Sequence, residues 1–171
     1  MIQRDLYNSN KKELAILVLI IIKQTEMNKI ENSNFKRLIG VWKTTGVINS
    51  GENNLDIIGT DSYELILDGN YILHKADVKM GNDRSETFEI IRLVSSLYKA
   101  KMQYFNSKGE EGIMESSIIN SQFKIEGPHL KFSGKINKEN TKINVKWYIQ
   151  IESQQWVDFI ELNLEKQINT I

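Results

Sequence analysis

From Leu38 onward, apolar and polar residues alternate with a period of two along much of the chain. That period marks strands, because successive side chains leave opposite faces of the backbone. In residues 141–151, Ile143, Val145, Trp147, Ile149 and Ile151 share one face, and Asn144, Lys146, Tyr148 and Gln150 share the other. In 130–136, Leu130, Phe132 and Ile136 oppose Lys131, Ser133 and Lys135. In 70–80 the apolar set is Ile72, Ala76, Val78 and Met80, and His74 shares its parity. Segments 84–94 and 111–119 alternate less cleanly, with Glu86, Glu89, Arg92, Glu115 and Ser117 among apolar neighbours, which predicts a partly polar interior.

The pattern predicts strands near 38–49, 55–67, 70–80, 84–94, 97–106, 111–119, 121–127, 130–137, 141–151 and 155–165. Val, Ile, Tyr, Phe and Trp concentrate in those runs. The breakers are short, and Asp68–Gly69 is the sharpest hairpin signal, because a type I′ turn needs positive φ. Short connections make neighbours in sequence antiparallel neighbours in space. A meander of about ten strands curls, and closing it removes the exposed edges. The expected fold is therefore all-β: an antiparallel up-and-down β-barrel of about ten strands. The one helical pattern after Met27 is the short N-terminal segment "KIENSNFKRL".

The N-terminus departs from this pattern. Residues 14–22 read "LAILVLIII", fewer than the roughly 20 apolar residues of a spanning helix. Lys11 and Lys12 precede the run as in a signal peptide, but the following "KQTEMNKIEN" is charged and offers no small-residue cleavage site. Three readings stay open: an interfacial anchor, a short helix packed on the domain, and upstream sequence before a true start at Met27. The expected organisation is an apolar extension over 1–26 and a barrel domain over 27–171.

Composition narrows the functions. The 171 residues carry 22 basic and 22 acidic side chains, without a basic stripe, so nucleic acid is not an expected partner. The chain has no cysteine, which removes thiol chemistry and Cys-ligated zinc. Two histidines make a poor basis for a metal site of three or four protein ligands, so neither metal nor cofactor is expected. A cytoplasmic location is expected, with membrane contact only if residues 14–22 act as an anchor, and a monomer or homodimer.

His74 is the most suggestive side chain, since a histidine on an apolar face can act as ligand or base. The plain alternative is a histidine hydrogen-bonded to a neighbouring strand. His129, in the "GPH" turn, reads as solvated. Asp158 shares parity with Trp156, Ile160 and Leu162, which makes it either a buried acid or a rim residue; the rim is favoured, because an unpaired buried charge is costly. Arg92 either neutralises an interior acid or binds a ligand carboxylate, or it faces water. Glu86, Glu89 and Glu115 form either a carboxylate cluster or, as strand acids on a wall more often do, its solvated face, and the solvated face is favoured. Tyr63, Tyr71, Tyr98, Tyr104 and Tyr148 are candidates to line a pocket, against ordinary sheet packing. Ser-x-x-Lys occurs three times, which shows how cheap that pattern is, and no phosphate loop or nucleophile motif accompanies it.

The stretch "LIGVWKTTGVI" resembles the Gly-x-Trp opening of lipocalins and their calycin relatives. The segments "ELILDGNYILHKADV" and "LYKAKMQYFNSKGEEG" sit where bacterial lipocalin-like domains of unknown function carry a Gly-then-aliphatic strand and a Tyr-rich strand. The resemblance spans about residues 35–165. It implies that a helical turn closes one end of the barrel, that Gly40 makes a tight bend, and that Trp42 plugs the floor. Secreted lipocalins set a late Arg against this Trp; here no Arg follows Arg92, and Lys166 is the nearest late cation. Nitrobindin-like haem proteins resemble "GVWKTTG" but use a late His, and no His follows His129.

These readings favour a binding module: a small apolar or amphipathic molecule held inside the barrel, with His74, Arg92, Tyr63, Tyr104 and Trp147 as ligand-binding candidates. A mouth bearing Tyr, His and Arg over an apolar floor is expected. The alternatives are an isomerase or hydrolase using His74 or Asp158, and an interaction domain whose barrel is filled by its own side chains. A cavity with His74 beside a carboxylate favours the enzyme, a roomy cavity without that pair the carrier, and a packed interior the interaction domain.

Overall fold

The structure, a computed structural model, describes residues 13–20, 29–49, 54–94 and 96–168. Ten strands follow one another: β1 (Gly40–Ile48), β2 (Leu55–Ile66), β3 (Tyr71–Met80), β4 (Asp83–Leu93), β5 (Lys99–Asn106), β6 (Glu111–Ile119), β7 (Gln122–Glu126), β8 (Leu130–Ile136), β9 (Lys142–Gln150) and β10 (Trp156–Lys166). Each pairs antiparallel with its neighbours in sequence, and β1 pairs with β10, so the sheet closes into an up-and-down barrel. This is the architecture the alternation predicts.

The turns differ in one respect from expectation. Asn120 and Ser121, both at positive φ (49° and 69°), join the paired Ile119 and Gln122 as a two-residue hairpin. Asp68–Gly69 instead lies in a four-residue loop between the paired Ile66 and Tyr71, with Leu67, Asp68 and Gly69 all at positive φ.

One end of the barrel is plugged. Two 3-10 turns, Ile30–Asn32 and Asn34–Leu38, cross it before β1 begins. Ser33 caps the second turn by accepting from the Phe35 N–H. Ile30, Phe35 and Leu38 are fully buried and meet Trp42, Ile72, Ile91, Met102, Ile118, Phe123, Ile136 and Ile143 in the core. Polar contacts fasten the plug to the barrel turns. Ile30 N–H donates to Gly69 O (2.9 Å), Asn34 N–H to Leu97 O (2.9 Å), and Asn34 Nδ2 to Ile118 O (2.7 Å). The Arg37 guanidinium reaches Asn140 Oδ1 (2.5 Å), Ser121 Oγ (3.3 Å) and Asn137 O (3.1 Å).

Gly40 has a φ of +130°, a conformation that side-chain-bearing residues rarely adopt, and this bend carries the chain from the plug into β1. Trp42, fully buried, donates its indole N–H to Leu38 O at 2.7 Å. Lys166 lies over the Trp42 ring, Nζ 4.6 Å from the centroid, and donates to Ile39 O (2.8 Å) and Arg37 O (3.2 Å). Burial lowers its pKa. The late cation against the Trp is thus a lysine.

Of residues 1–26, expected to be an extension, only 13–20 are described; they form a helix, α1, whose large apolar side chains are all exposed. No helix among the described residues is long and apolar enough to cross a membrane. Met27 as a start lies outside the described residues.

Candidate functional site

The plugged end and the opposite end of the barrel differ in what fills them. Trp42, Tyr63, Ile72 and Ile91 belong to the packed core. Two residues nearer the opposite end on each strand, still on the inward face, stand Thr44, Asp61, His74 and Glu89. Beyond that layer the interior opens into a cavity of about 330 Å³. Ile57, Ala76, Val78, Met80, Met114, Trp147, Phe159, Ile160 and Leu162 form its apolar wall; Ser85, Thr87 and Tyr104 add hydroxyls. Between Ile57 and Asp61 the wall has no side chain at Gly59, where a Cβ would lie 2.2 Å from Asp77 O.

Register explains why the polar layer assembles. His74 on β3 is paired with Glu89 on β4 and with Tyr63 on β2. Asp61 lies two residues before Tyr63, within diagonal reach of His74. His74 Nδ1 meets Glu89 Oε2 at 2.7 Å, and Nε2 meets Asp61 Oδ1 at 2.8 Å. Thr44 Oγ1 donates to the second Asp61 oxygen. The Tyr63 ring stacks on the imidazole, with centroids 4.1 Å apart and planes 8° from parallel.

Asp61, His74 and Glu89 are each more than 90% buried, which decides the electrostatics. Burial by itself pulls the His74 pKa down; the charge of Glu89 and the hydrogen bonds to Asp61 and Glu89 outweigh it and raise the pKa to about 9. At neutral pH the ring is an imidazolium, donating from both nitrogens and stacked on an aromatic face. Burial, then the charges of Asp61 and Glu89, push the Tyr63 hydroxyl well above its usual pKa, so it stays neutral. With both ring nitrogens turned to carboxylates, His74 has no lone pair to offer a metal.

The sequence candidates divide. His74, Tyr104 and Trp147 line the cavity, and Tyr63 backs it through His74. Arg92 does not reach the interior: Ile91 takes the inward position, and Arg92 is exposed on the outer wall, paired in register with Tyr71 and Lys101. Asp158 is exposed and bonded to Lys146 at 3.4 Å. A β-bulge between Asp158 and Ile160 inserts Phe159 and breaks the parity on which an inward Asp158 rests. His129 is exposed, as expected of a turn residue. Glu86 and Glu115 face outward as the solvated reading has it, but Glu89 faces in. The polarity of the interior is also inverted: His74 stands at the inner end of the cavity, not at an Arg-bearing mouth.

Asp61 and Thr44 escape the sequence reading. Thr44 lies two residues after Trp42, so an inward Trp42 implies an inward Thr44. Asp61 lies two residues before Tyr63 and follows by the same parity.

No family model matches the chain, and no curated protein matches it. Solved structures do. The crystal structure of Rv2717c from M. tuberculosis aligns with a TM-score of 0.62 at 11% identity, covering 77% of this chain and 94% of that one. The S-type phycobiliprotein lyase CPES from Guillardia theta aligns with a TM-score of 0.57 at 11% identity, covering 87% of this chain and 98% of that one. At this identity the likeness is one of fold alone.

Proposed function

We propose that the protein binds a small apolar or amphipathic molecule in the open half of its barrel. The observation that carries this reading is the cavity of about 330 Å³, with apolar walls and a few convergent polar groups at its inner end. A concave apolar space with sparse, fixed polar groups is the general form of a small-molecule site. The plug beneath it supports the same reading, since the core and the cavity occupy different halves of one barrel. A barrel filled by its own side chains would leave no such space.

A neutral apolar dye, N-phenyl-1-naphthylamine, tests this. Its fluorescence is expected to rise on binding the native protein and to stay low with Ala76→Trp, which fills the cavity from the wall, while the circular dichroism of the two proteins agrees. Equal dye binding by both would sink the reading. Native mass spectrometry of gently purified protein, compared with the denatured mass, then weighs whatever molecule the barrel carries.

Catalysis is a second reading, and the pair expected of an enzyme is present: His74 lies within hydrogen-bond reach of two carboxylates in a cavity. A barrel of this fold serves as a phycobiliprotein lyase in Guillardia theta, so the architecture is compatible with an enzyme. Against it stands the protonation of His74. With a pKa of about 9 and both N–H groups committed to Asp61 and Glu89, the ring is closed as a general base at neutral pH. The carrier is the better supported of the two.

A further inference from the structure

We infer that the ligand of this cavity enters with a cationic or N–H-donating head, such as a protonated amine or amidine, that docks on the Asp61–His74–Glu89 layer, and that fatty acids and other organic anions are excluded. The inference deepens the small-molecule reading above and rests on it.

The first observation is the sign of the charge around the cavity. Three carboxyl residues line it, Asp61 and Glu89 at the inner end and Glu110 by the β5–β6 turn. Among the described residues the lining includes no lysine or arginine, and His74 is its one basic group. Two carboxylates and one imidazolium leave the inner layer with a net negative charge. An organic anion pushed into that space meets repulsion in a medium that screens it poorly. A cation meets the opposite.

The second observation is geometric. Both ring nitrogens of His74 are taken up by Asp61 and Glu89, so the histidine presents no donor to a guest. Its part is to position: it fixes the two carboxylates on either side of one ring. Thr44 takes up the second oxygen of Asp61. Glu89 is different. One of its oxygens meets His74, and among the described residues no donor meets the other, Oε1. Glu89 is itself more than nine-tenths buried and lines the cavity. That oxygen is open to the cavity, since Ser96 Oγ is the one buried side-chain polar atom without a partner among the described residues, and an N–H or ammonium head on a guest meets it with a charge-assisted hydrogen bond. Above this layer, Ile57, Val78, Met80, Met114 and Trp147 leave room for an apolar body. The recognised class is therefore an apolar or aromatic skeleton with a positive or N–H-rich end directed inward.

The test uses three probes on one skeleton: 2-naphthylmethylammonium, 2-naphthalenemethanol and 2-naphthoate, titrated at pH 7 by calorimetry. The expected order is ammonium at least tenfold tighter than the alcohol, and the alcohol tighter than the carboxylate. Glu89→Gln keeps an oxygen for His74 and is expected to erase the preference for the ammonium, bringing its affinity to within about twofold of the alcohol's on the same variant. The native protein alone decides if that variant fails to fold. Binding of the carboxylate as tightly as the ammonium, or an ammonium preference that survives Glu89→Gln, overturns the inference and leaves the small-molecule reading standing. Failure of all three probes together with failure of the neutral dye overturns both.

Discussion

Trp42 shows how much one side chain settles. It is fully buried, its N–H is satisfied by Leu38 O, and Lys166 lies across its face. Trp42→Ala removes the ring, strands the carbonyl and leaves the cation over a void, so a loss of about 3–5 kcal/mol is expected in denaturant unfolding. A loss below about 1 kcal/mol would mean that the plug does not hold the floor. His74 makes a different prediction. Its pKa is raised in the folded protein to about 9, above the unfolded value of 6.5. Below pH 6.5 both states carry the proton and its full stabilisation is present; between 6.5 and 9 the unfolded chain gives the proton up first, and stability falls. The decline should be on the order of 3 kcal/mol across that window, read from urea melts at successive pH values. His74→Gln should flatten it.

At the scale of elements, the decisive pieces are the two 3-10 turns and the bulge in β10. The plug is held less by its own helical bonds than by reach across the barrel end, where Arg37 spans the β6–β7 and β8–β9 turns through Ser121, Asn137 and Asn140. Arg37→Ala is expected to cost about 1–2 kcal/mol in stability and to quicken hydrogen exchange at the Asn34 and Ile39 amides before the strands respond. Unchanged exchange there would show that the plug is seated without Arg37. The elements also explain what sequence could convey. Strands with one clean apolar face, such as β9 and β8, are legible at sight, and so is His74, flanked by Ile72 and Ala76 on its face. Asp61 is not, because β2 carries Leu55 and Ile57 on one face and Ile58 on the other, and the pattern names no inside. Glu89 misleads for a stronger reason: β4 turns Phe88 outward, where it packs on Phe105 at 6.4 Å, and turns Ser85, Thr87 and Glu89 inward. Polarity there runs opposite to burial. The bulge at Phe159 is a backbone event with no mark in the residue types around it, so Asp158 and Phe159 exchange the sides that alternation gives them.

Taken whole, the molecule is one sheet wrapped on itself, with a dry half and an open half separated by a single polar layer. Rings run between the halves: Phe35 meets Phe123 edge-on, Phe123 meets Phe132 at 4.7 Å, and Phe132 meets Trp147 at 5.1 Å. The cavity wall is thereby packed, through four aromatic residues, on the plug. The barrel is legible in the chain because it depends on periodicity, whereas the plug and the Gly40–Trp42 entrance are reached through the resemblance that the Gly-x-Trp stretch carries. The polar layer is not, because it depends on which strand positions meet across the sheet, and register is a property of the closed object.

The pairing of β1 with β10 has a consequence for how the protein is made. Lys166 bonds to Arg37, 129 positions earlier, and Trp42 takes its cover from the same lysine. A nascent chain leaving the ribosome therefore exposes β1 first and must hold that edge unpaired until β10 has been made. Through that interval the indole of Trp42 lacks its lid, and two strand edges stand open to other chains. For this protein, the hazard of misassembly belongs to translation, and it ends when the final strand arrives.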